Sequence, residues 1–144
     1  MASNALIKLV PKSDQQDITL EELKGLFHYY KEITAKTGQQ LGWNYDYSAF
    51  PYEIHNVVDA KQEMFYLKGT NNKYFAMILK IGKETILDEE TEETKEQTYI
   101  QLILPNGATN GDKGKANEFC KFIAKKLAGE LHLFNGRVMY FYKR

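Results

Sequence analysis

The alternation of hydrophobic and polar positions near the start of the chain predicts a strand followed by a helix. The run ALIKLV at 5–10 is predicted to be a strand. Thr19 and Glu22 have the spacing of a capping box, in which the threonine hydroxyl and the glutamate carboxylate each accept a backbone amide hydrogen bond. Apolar residues then recur with helical spacing, and Gly38 is suited to end a helix. Together these signals predict a helix over 19–37.

The middle of the chain contains four runs whose patterns are typical of strands. They lie at 52–57, 63–68, 74–81 and 98–104. The last two are apolar at successive positions, as expected for central strands that are covered at least in part on both faces. Between these two runs, segment 84–97 contains seven acidic residues and one lysine. We predict a solvated hairpin excursion there, whose charges keep neighbouring strands from aggregating.

The last third of the chain predicts a second helix and a final hairpin. An amphipathic pattern predicts a helix over about 112–128, with Asp112 as its N-cap and Gly129 as its stop. The pair Asn135-Gly136 stands between two apolar runs and predicts a tight hairpin turn. The predicted order is therefore β-α-β-β-β-β-α-β-β. This order favours an α+β fold of two layers, with two helices on one face of a mostly antiparallel sheet of six to seven strands.

Length and composition predict one compact domain, 1–144, of ordinary globular character. Lys plus Arg and Asp plus Glu both number 19, so the chain lacks the basic excess that nucleic-acid binders usually show. Its single cysteine excludes an intrachain disulfide and a cysteine-based metal cage. The N-terminal pattern is too short and interrupted for a signal peptide, and no run is long enough to cross a bilayer. We therefore expect a cytoplasmic protein with no membrane partner.

The glycine- and lysine-containing stretch PNGATNGDKGKA at 105–116 is a candidate phosphate site between a strand and a helix. The spacing does not match a P-loop, because Ala116 replaces the hydroxyl residue that would bind magnesium, and it does not match a dinucleotide fingerprint. A capping carboxylate at the helix start would also compete for the amides that a phosphate needs. We interpret the stretch as a plain connection. The alternative is a weak anion site, with candidate residues Asn110, Gly111, Lys113, Gly114 and Lys115.

Aromatic residues crowd the segment that follows the first helix. Trp43, Tyr45, Tyr47 and Tyr52 combine apolar area with a hydrogen-bonding tip, which suits a ligand- or protein-binding surface. The alternative is that they fill space between helix and sheet. Residues 43–53 contain no lysine or arginine, which is a second argument against nucleic acid as the partner.

The other reactive side chains give no catalytic or metal-binding pattern. The histidines His28, His55 and His132 lack metal-ligand spacing, and Cys120 lies on the apolar stripe of the second helix. We therefore predict no catalytic residue, no metal and no cofactor. From 105 to 144 there are eight Lys or Arg against three Asp or Glu, whereas the acidic segment has a net charge of minus six. These opposite charges would attract each other within the molecule or across a homodimer.

Three blocks of the sequence resemble an uncharacterised family of Bacillus and its relatives that is grouped as a domain of unknown function, DUF1885. They are the capping-box helix, WNYDYSAFPY and the tail GDKGKANEFCKFIAKKLAGELHLFNGRVMYFY. The resemblance implies a single compact α+β domain in a bacterial cytoplasm, and it brings no catalytic residues with it.

These observations favour a non-catalytic binding or accessory module that presents the aromatic surface to a protein or a small-molecule ligand. The alternative from another class is an enzyme or sensor that binds a phosphorylated small molecule at the loop 106–115. A third possibility is a structural homodimer, in which the tail hairpins of two copies pair edge to edge.

Overall fold

The computed structural model describes residues 3–41, 50–57 and 63–142. These ranges contain seven strands and two helices in the predicted order. The elements are β1 (Ser3–Lys8), α1 (Leu20–Leu41), β2 (Tyr52–Asn56), β3 (Glu63–Gly69), β4 (Ala76–Leu87), β5 (Thr94–Leu104), α2 (Asn110–Leu127), β6 (Glu130–His132) and β7 (Val138–Tyr140).

The strands form one antiparallel sheet in the order β2-β3-β4-β5-β1-β6-β7. Helix α2 packs over β4, β5, β1 and β6, and α1 packs over β3. Both helices lie on the same face, because the aromatic rings of the two helices meet those of the sheet there. The ring of Phe27 in α1 lies 6.0 Å from that of Phe65 in β3 and 5.4 Å from that of Phe119 in α2. The predicted α+β class and two-layer arrangement are confirmed.

Several predicted boundaries are wrong by a few residues. Helix α1 continues through Gly38 to Leu41. Helix α2 ends at Leu127, and its C-cap Ala128 takes the left-handed conformation (φ 52°) that the pattern predicts for Gly129. Gly129 is needed for another reason, because a Cβ there would lie 3.0 Å from Ile7 Cγ2 and 3.2 Å from the Lys8 carbonyl oxygen in β1.

The acidic segment 84–97 is a hairpin, as predicted, but most of it is regular strand. Residues 84–87 of β4 pair with residues 94–97 of β5, and the turn lies between them. Pairing of β4 with β3 stops at Ile81, and pairing of β5 with β1 stops at Tyr99. The hairpin therefore extends beyond the rest of the sheet as a two-stranded ribbon. The pattern did not predict strand there because charged residues occupy both faces of this exposed ribbon.

Neither of the two described helices covers the second face of the sheet. On this open face β3 presents Met64 and Tyr66, β4 presents Ile78, and β5 presents Ile103, all partly exposed. The prediction of two helices on one face is confirmed, and the apolar second face that suggested at least partial cover is not covered by either of them. The apolar side chains that suggested a second cover remain accessible.

Candidate functional site

A buried carboxylate organises the start of α2. Asp112 is fully buried, and it is the third residue of the helix rather than its predicted N-cap. Thr109 is the N-cap: its hydroxyl accepts from the Asp112 amide at 3.0 Å, and its own amide donates to Asp112 Oδ2 at 2.9 Å. The two residues form a capping box, with aspartate in the place usually taken by glutamate.

Asp112 also binds two segments that are distant in sequence. The Tyr52 hydroxyl donates to Oδ1 at 2.5 Å, and the Phe75 amide donates to both carboxylate oxygens at 3.1 and 3.0 Å. Burial raises the pKa of Tyr52 well above its ordinary value, and the bond to the Asp112 carboxylate raises it further. The tyrosine therefore stays neutral and acts as a donor. One carboxylate thus joins β2, the approach to β4 and the start of α2.

The glycine-rich loop at 105–116, the candidate phosphate site, packs against another segment of the protein. A Cβ at Gly111 would lie 2.8 Å from the Lys73 carbonyl oxygen and 2.9 Å from the Tyr74 ring, so glycine permits close packing there. The Thr109 hydroxyl donates to the same Lys73 carbonyl at 2.6 Å. The helix start is therefore in contact with a neighbouring carbonyl and a buried carboxylate, both of which repel an anion.

The remaining anion-site candidates are not brought together into a cradle. Lys115 Nζ lies 3.0 Å from Glu118 Oε2, and Asn110 and Gly114 are exposed. Lys113 is exposed and lines a polar hollow of about 200 Å³ with Asn106 and Gly107. This hollow is the one feature of the loop that retains the character of an anion site.

The predicted aromatic surface falls mostly on residues that lie outside the described ranges, namely Trp43, Tyr45 and Tyr47. The fourth member, Tyr52, is only 2% exposed, and its ring packs against those of Phe50, Tyr74 and Phe119. Tyr52 therefore belongs to the core and contributes no exposed surface. The pattern missed this because the partner of its hydroxyl, Asp112, is sixty residues away in sequence.

The histidines and the cysteine are separated in the fold. His55 Nε2 lies 3.3 Å from Glu53 Oε2, and His132 Nε2 lies 2.8 Å from Glu130 Oε1. Burial raises the pKa of the Cys120 thiol to about 12, so it is protonated and unreactive at neutral pH. Across 3–41, 50–57 and 63–142, no three His, Cys, Asp or Glu side chains are grouped to hold a metal. Neither described helix is long and apolar enough to cross a membrane.

The open face of the sheet contains an apolar pocket that the sequence patterns did not identify. Its volume is about 450 Å³, within the range of about 300 to 1,000 Å³ typical of small-molecule sites. Its walls come from the ends of β2, β3 and β4 and from the loop before α2. They comprise Val57, Met64, Tyr66, Phe75, Ala76, Ile78, Pro105 and Asn106.

Two aromatic side chains of the pocket are held in place from outside it. Phe75 is 50% exposed, yet its amide is bound by the buried Asp112, and its ring lies over Gly107. A Cβ at Gly107 would be 3.4 Å from that ring, and the φ of +94° at this turn also favours glycine. On the opposite side, Tyr66 stacks on His55 with ring centroids 5.1 Å apart and planes 13° from parallel. The pocket therefore has fixed aromatic walls before any ligand binds.

The comparisons with known proteins place the chain in a family. Residues 3–143 match the family described as "Domain of unknown function (DUF1885)". The chain is also similar to a solved structure, "Protein of Unknown Function from Bacillus stearothermophilus". The identity is 42%, the match covers 89% of this chain and 92% of that one, and the TM-score is 0.56. Among curated proteins, none matches. The predicted resemblance is confirmed, and the chain belongs to the DUF1885 family.

Proposed function

We propose that the protein is a non-catalytic binding module that takes a small apolar molecule into the pocket on the open face of its sheet. The observation that carries this proposal is the fixed, half-exposed ring of Phe75. An exposed phenylalanine usually loses conformational freedom when a ligand covers it, which reduces affinity. Here the Asp112 carboxylate holds the Phe75 backbone and Gly107 supports its ring, so much of this ordering precedes binding.

The chemistry of the walls favours binding over catalysis. Of the eight described residues that line the pocket, Tyr66 alone has a titratable side chain. General acid–base or nucleophilic catalysis needs such groups within hydrogen-bond reach of the reacting atoms. Apolar walls with a tyrosine hydroxyl and the Asn106 amide suit a site that orients a ligand without transforming it.

The test is a fluorescence titration with phenylnaphthylamine, an uncharged two-ring probe with an additional phenyl group, which brightens in apolar surroundings. We expect saturable binding to the wild type and a loss of at least about tenfold in affinity for Phe75→Ala. Ala76→Phe should also block binding, because it fills the pocket from within. The matched control is Leu87→Ala, which also truncates an exposed apolar side chain. Leu87 lies about 35 Å along β4 from Ala76.

Each variant is first compared with the wild type by its melting temperature, so that loss of fold is separated from loss of site. Binding that survives both Phe75→Ala and Ala76→Phe in folded protein would show that the probe lies elsewhere. Absence of saturable binding to the wild type would count against the proposal itself.

A second candidate function is the binding of a phosphorylated small molecule beside the loop 106–115, in an enzyme or a sensor. The polar hollow that Lys113 lines with Asn106 favours it. Thermal shift with phosphate, pyrophosphate and nucleotides at matched ionic strength tests it, with Lys113→Ala as the variant and Lys121→Ala as the control. A ligand at one hundred times its Kd stabilises a fold by about 2.7 kcal/mol. A shift that is absent in Lys113→Ala alone would favour this second function.

A further inference from the structure

We infer that the ligand of the open-face pocket is an amphiphilic anion, a small molecule with an apolar body and one negatively charged group. This inference rests on the proposed function and specifies its ligand class. It comes from two lysines that stand on the same face of the sheet as the pocket and beside its walls. They are Lys68 in β3 and Lys80 in β4.

The register of the sheet places these lysines at the pocket. Lys68 is directly opposite Ala76, and Lys80 is directly opposite Met64; both partners are pocket residues. Residues opposite each other in an antiparallel pair have Cβ atoms about 4.5 to 5.5 Å apart, so each lysine begins within one side-chain length of the pocket. A lysine side chain can lay its methylene groups along apolar surface and keep its ammonium group at the edge.

Neither lysine is part of an ion pair within the described part of the chain. Within residues 3–41, 50–57 and 63–142, no ion pair involves Lys68 or Lys80. The described acidic residue opposite Lys68 is Glu53, whose carboxylate lies 3.3 Å from His55 Nε2. On its other side Lys80 is opposite the uncharged Gln101. Lys80 therefore adds a positive charge at one edge of the pocket, Lys68 adds a charge at the other edge that Glu53 offsets in part, and the pocket has no acidic wall residue.

This arrangement matches a ligand that places its apolar part against Phe75 and Ile78 and its anionic group at one edge of the pocket, within reach of one of the two lysines, which lie about 13 Å apart along the strands. Salt would weaken the attraction between the lysines and the anionic group, because the Debye length falls from about 10 Å at 0.1 M to about 3 Å at 1 M. The ligand class includes carboxylates, sulfonates and phosphate monoesters, provided that the anionic group is joined to an apolar body.

The test compares two probes that differ by one charge. Anilinonaphthalene sulfonate has the ring system of phenylnaphthylamine with one added sulfonate. We expect the wild type to bind the sulfonate at least about threefold more tightly in 50 mM salt, and this advantage to disappear at 1 M salt. The double variant Lys68→Gln/Lys80→Gln should lose the advantage and keep its affinity for the neutral probe.

The matched control is Lys83→Gln, which removes the same charge from the same strand on the opposite face of the sheet. It should leave the preference for the sulfonate unchanged. If the neutral probe binds and the sulfonate has no advantage, the charge inference is wrong and the proposed function stands. If neither probe binds, both are wrong. Loss of the advantage in Lys83→Gln as well would indicate a general charge effect and would also overturn the inference.

An anionic apolar molecule can be free in solution or part of a membrane. The volume of the pocket, about 450 Å³, suits a single small molecule and favours the free molecule, so the protein should remain in the supernatant when vesicles of phosphatidylglycerol are sedimented. Decanoate below its micelle concentration should displace the sulfonate probe. Sedimentation of the protein with the vesicles, combined with failure of decanoate to compete, would overturn the assignment to a small soluble ligand.

Discussion

The two helices in the described part of the chain both begin with a capping box, but in two different environments. At the start of α1, the Thr19 hydroxyl accepts from the Glu22 amide and the Glu22 carboxylate accepts from the Thr19 amide, both at 3.1 Å. At the start of α2, Thr109 and Asp112 exchange the equivalent bonds at 3.0 and 2.9 Å. The first carboxylate is exposed, whereas the second is fully buried and accepts from Tyr52 and Phe75 as well.

The difference teaches that burial, more than the motif, decides what a capping box contributes. An exposed cap exchanges a bond to water for a bond to protein, so its net effect is small. A buried carboxylate has lost its water, and each of its donors would be left without a partner if it were removed. At α2 the box has become a junction of three segments, and one of them carries the pocket residue Phe75.

The largest effect is expected for Asp112→Ala. It leaves the Tyr52 hydroxyl and the amides of Phe75 and Thr109 without their acceptor, so the free energy of unfolding should fall by about 4 kcal/mol. Urea unfolding followed by circular dichroism measures this loss. Glu22→Ala is the matched variant at the exposed box, and its cost should stay below about 1 kcal/mol. Equal costs would contradict the distinction between the two boxes.

An intermediate effect that depends on pH is expected for Tyr52→Phe. It removes one donor to the carboxylate and should cost about 2 kcal/mol at pH 7. The pKa of Tyr52 is raised in the folded protein, so its stabilising contribution is complete below the unfolded pKa of about 10 and is lost as pH rises above it. Above pH 10 the wild type should therefore lose stability faster than Tyr52→Phe, by at most about 1.4 kcal/mol per pH unit.

Unfolding in guanidinium at pH 7 to 11 measures this difference. Tyr29→Phe serves as the control, because Tyr29 is 43% exposed. A gap between wild type and Tyr52→Phe that stays constant up to pH 11 would contradict a buried, neutral Tyr52.

The same contrast explains what could be predicted from the sequence. The box of Thr19 and Glu22 was predicted because all its partners lie within four residues. The Thr109–Asp112 spacing is equally local, and the N-cap prediction for Asp112 overlooks it. The burial of Asp112 could not be predicted, because it depends on Tyr52 and Phe75, which are sixty and thirty-seven residues away. The order of strands and helices was predictable from local patterns. The regular strands of the ribbon were not, because no described element packs over that hairpin and no apolar alternation is required there.

The pocket was unpredictable for a similar reason. Its walls combine one residue after β2, alternate residues of β3 and β4, and the loop before α2, so it exists only once the sheet has formed. The sequence did contain a signal, namely apolar residues on both faces of the central strands. That signal predicts cover, at least in part, on both faces, whereas the two described helices cover one face, as predicted, and leave Ile78 partly exposed on the other.

The smallest effect is expected at the exposed box itself. Thr19→Ala removes the hydroxyl that accepts from the Glu22 amide, and it should lower the free energy of unfolding by about 1 kcal/mol. Thr19→Ser keeps the hydroxyl and should restore most of that loss. Neither substitution should change probe binding at the open-face pocket, because no bond of this box reaches β4 or the loop before α2. A cost above about 2 kcal/mol, or a change in probe affinity, would mean that the α1 box is coupled to the rest of the fold as closely as the α2 box, and would remove the contrast between them.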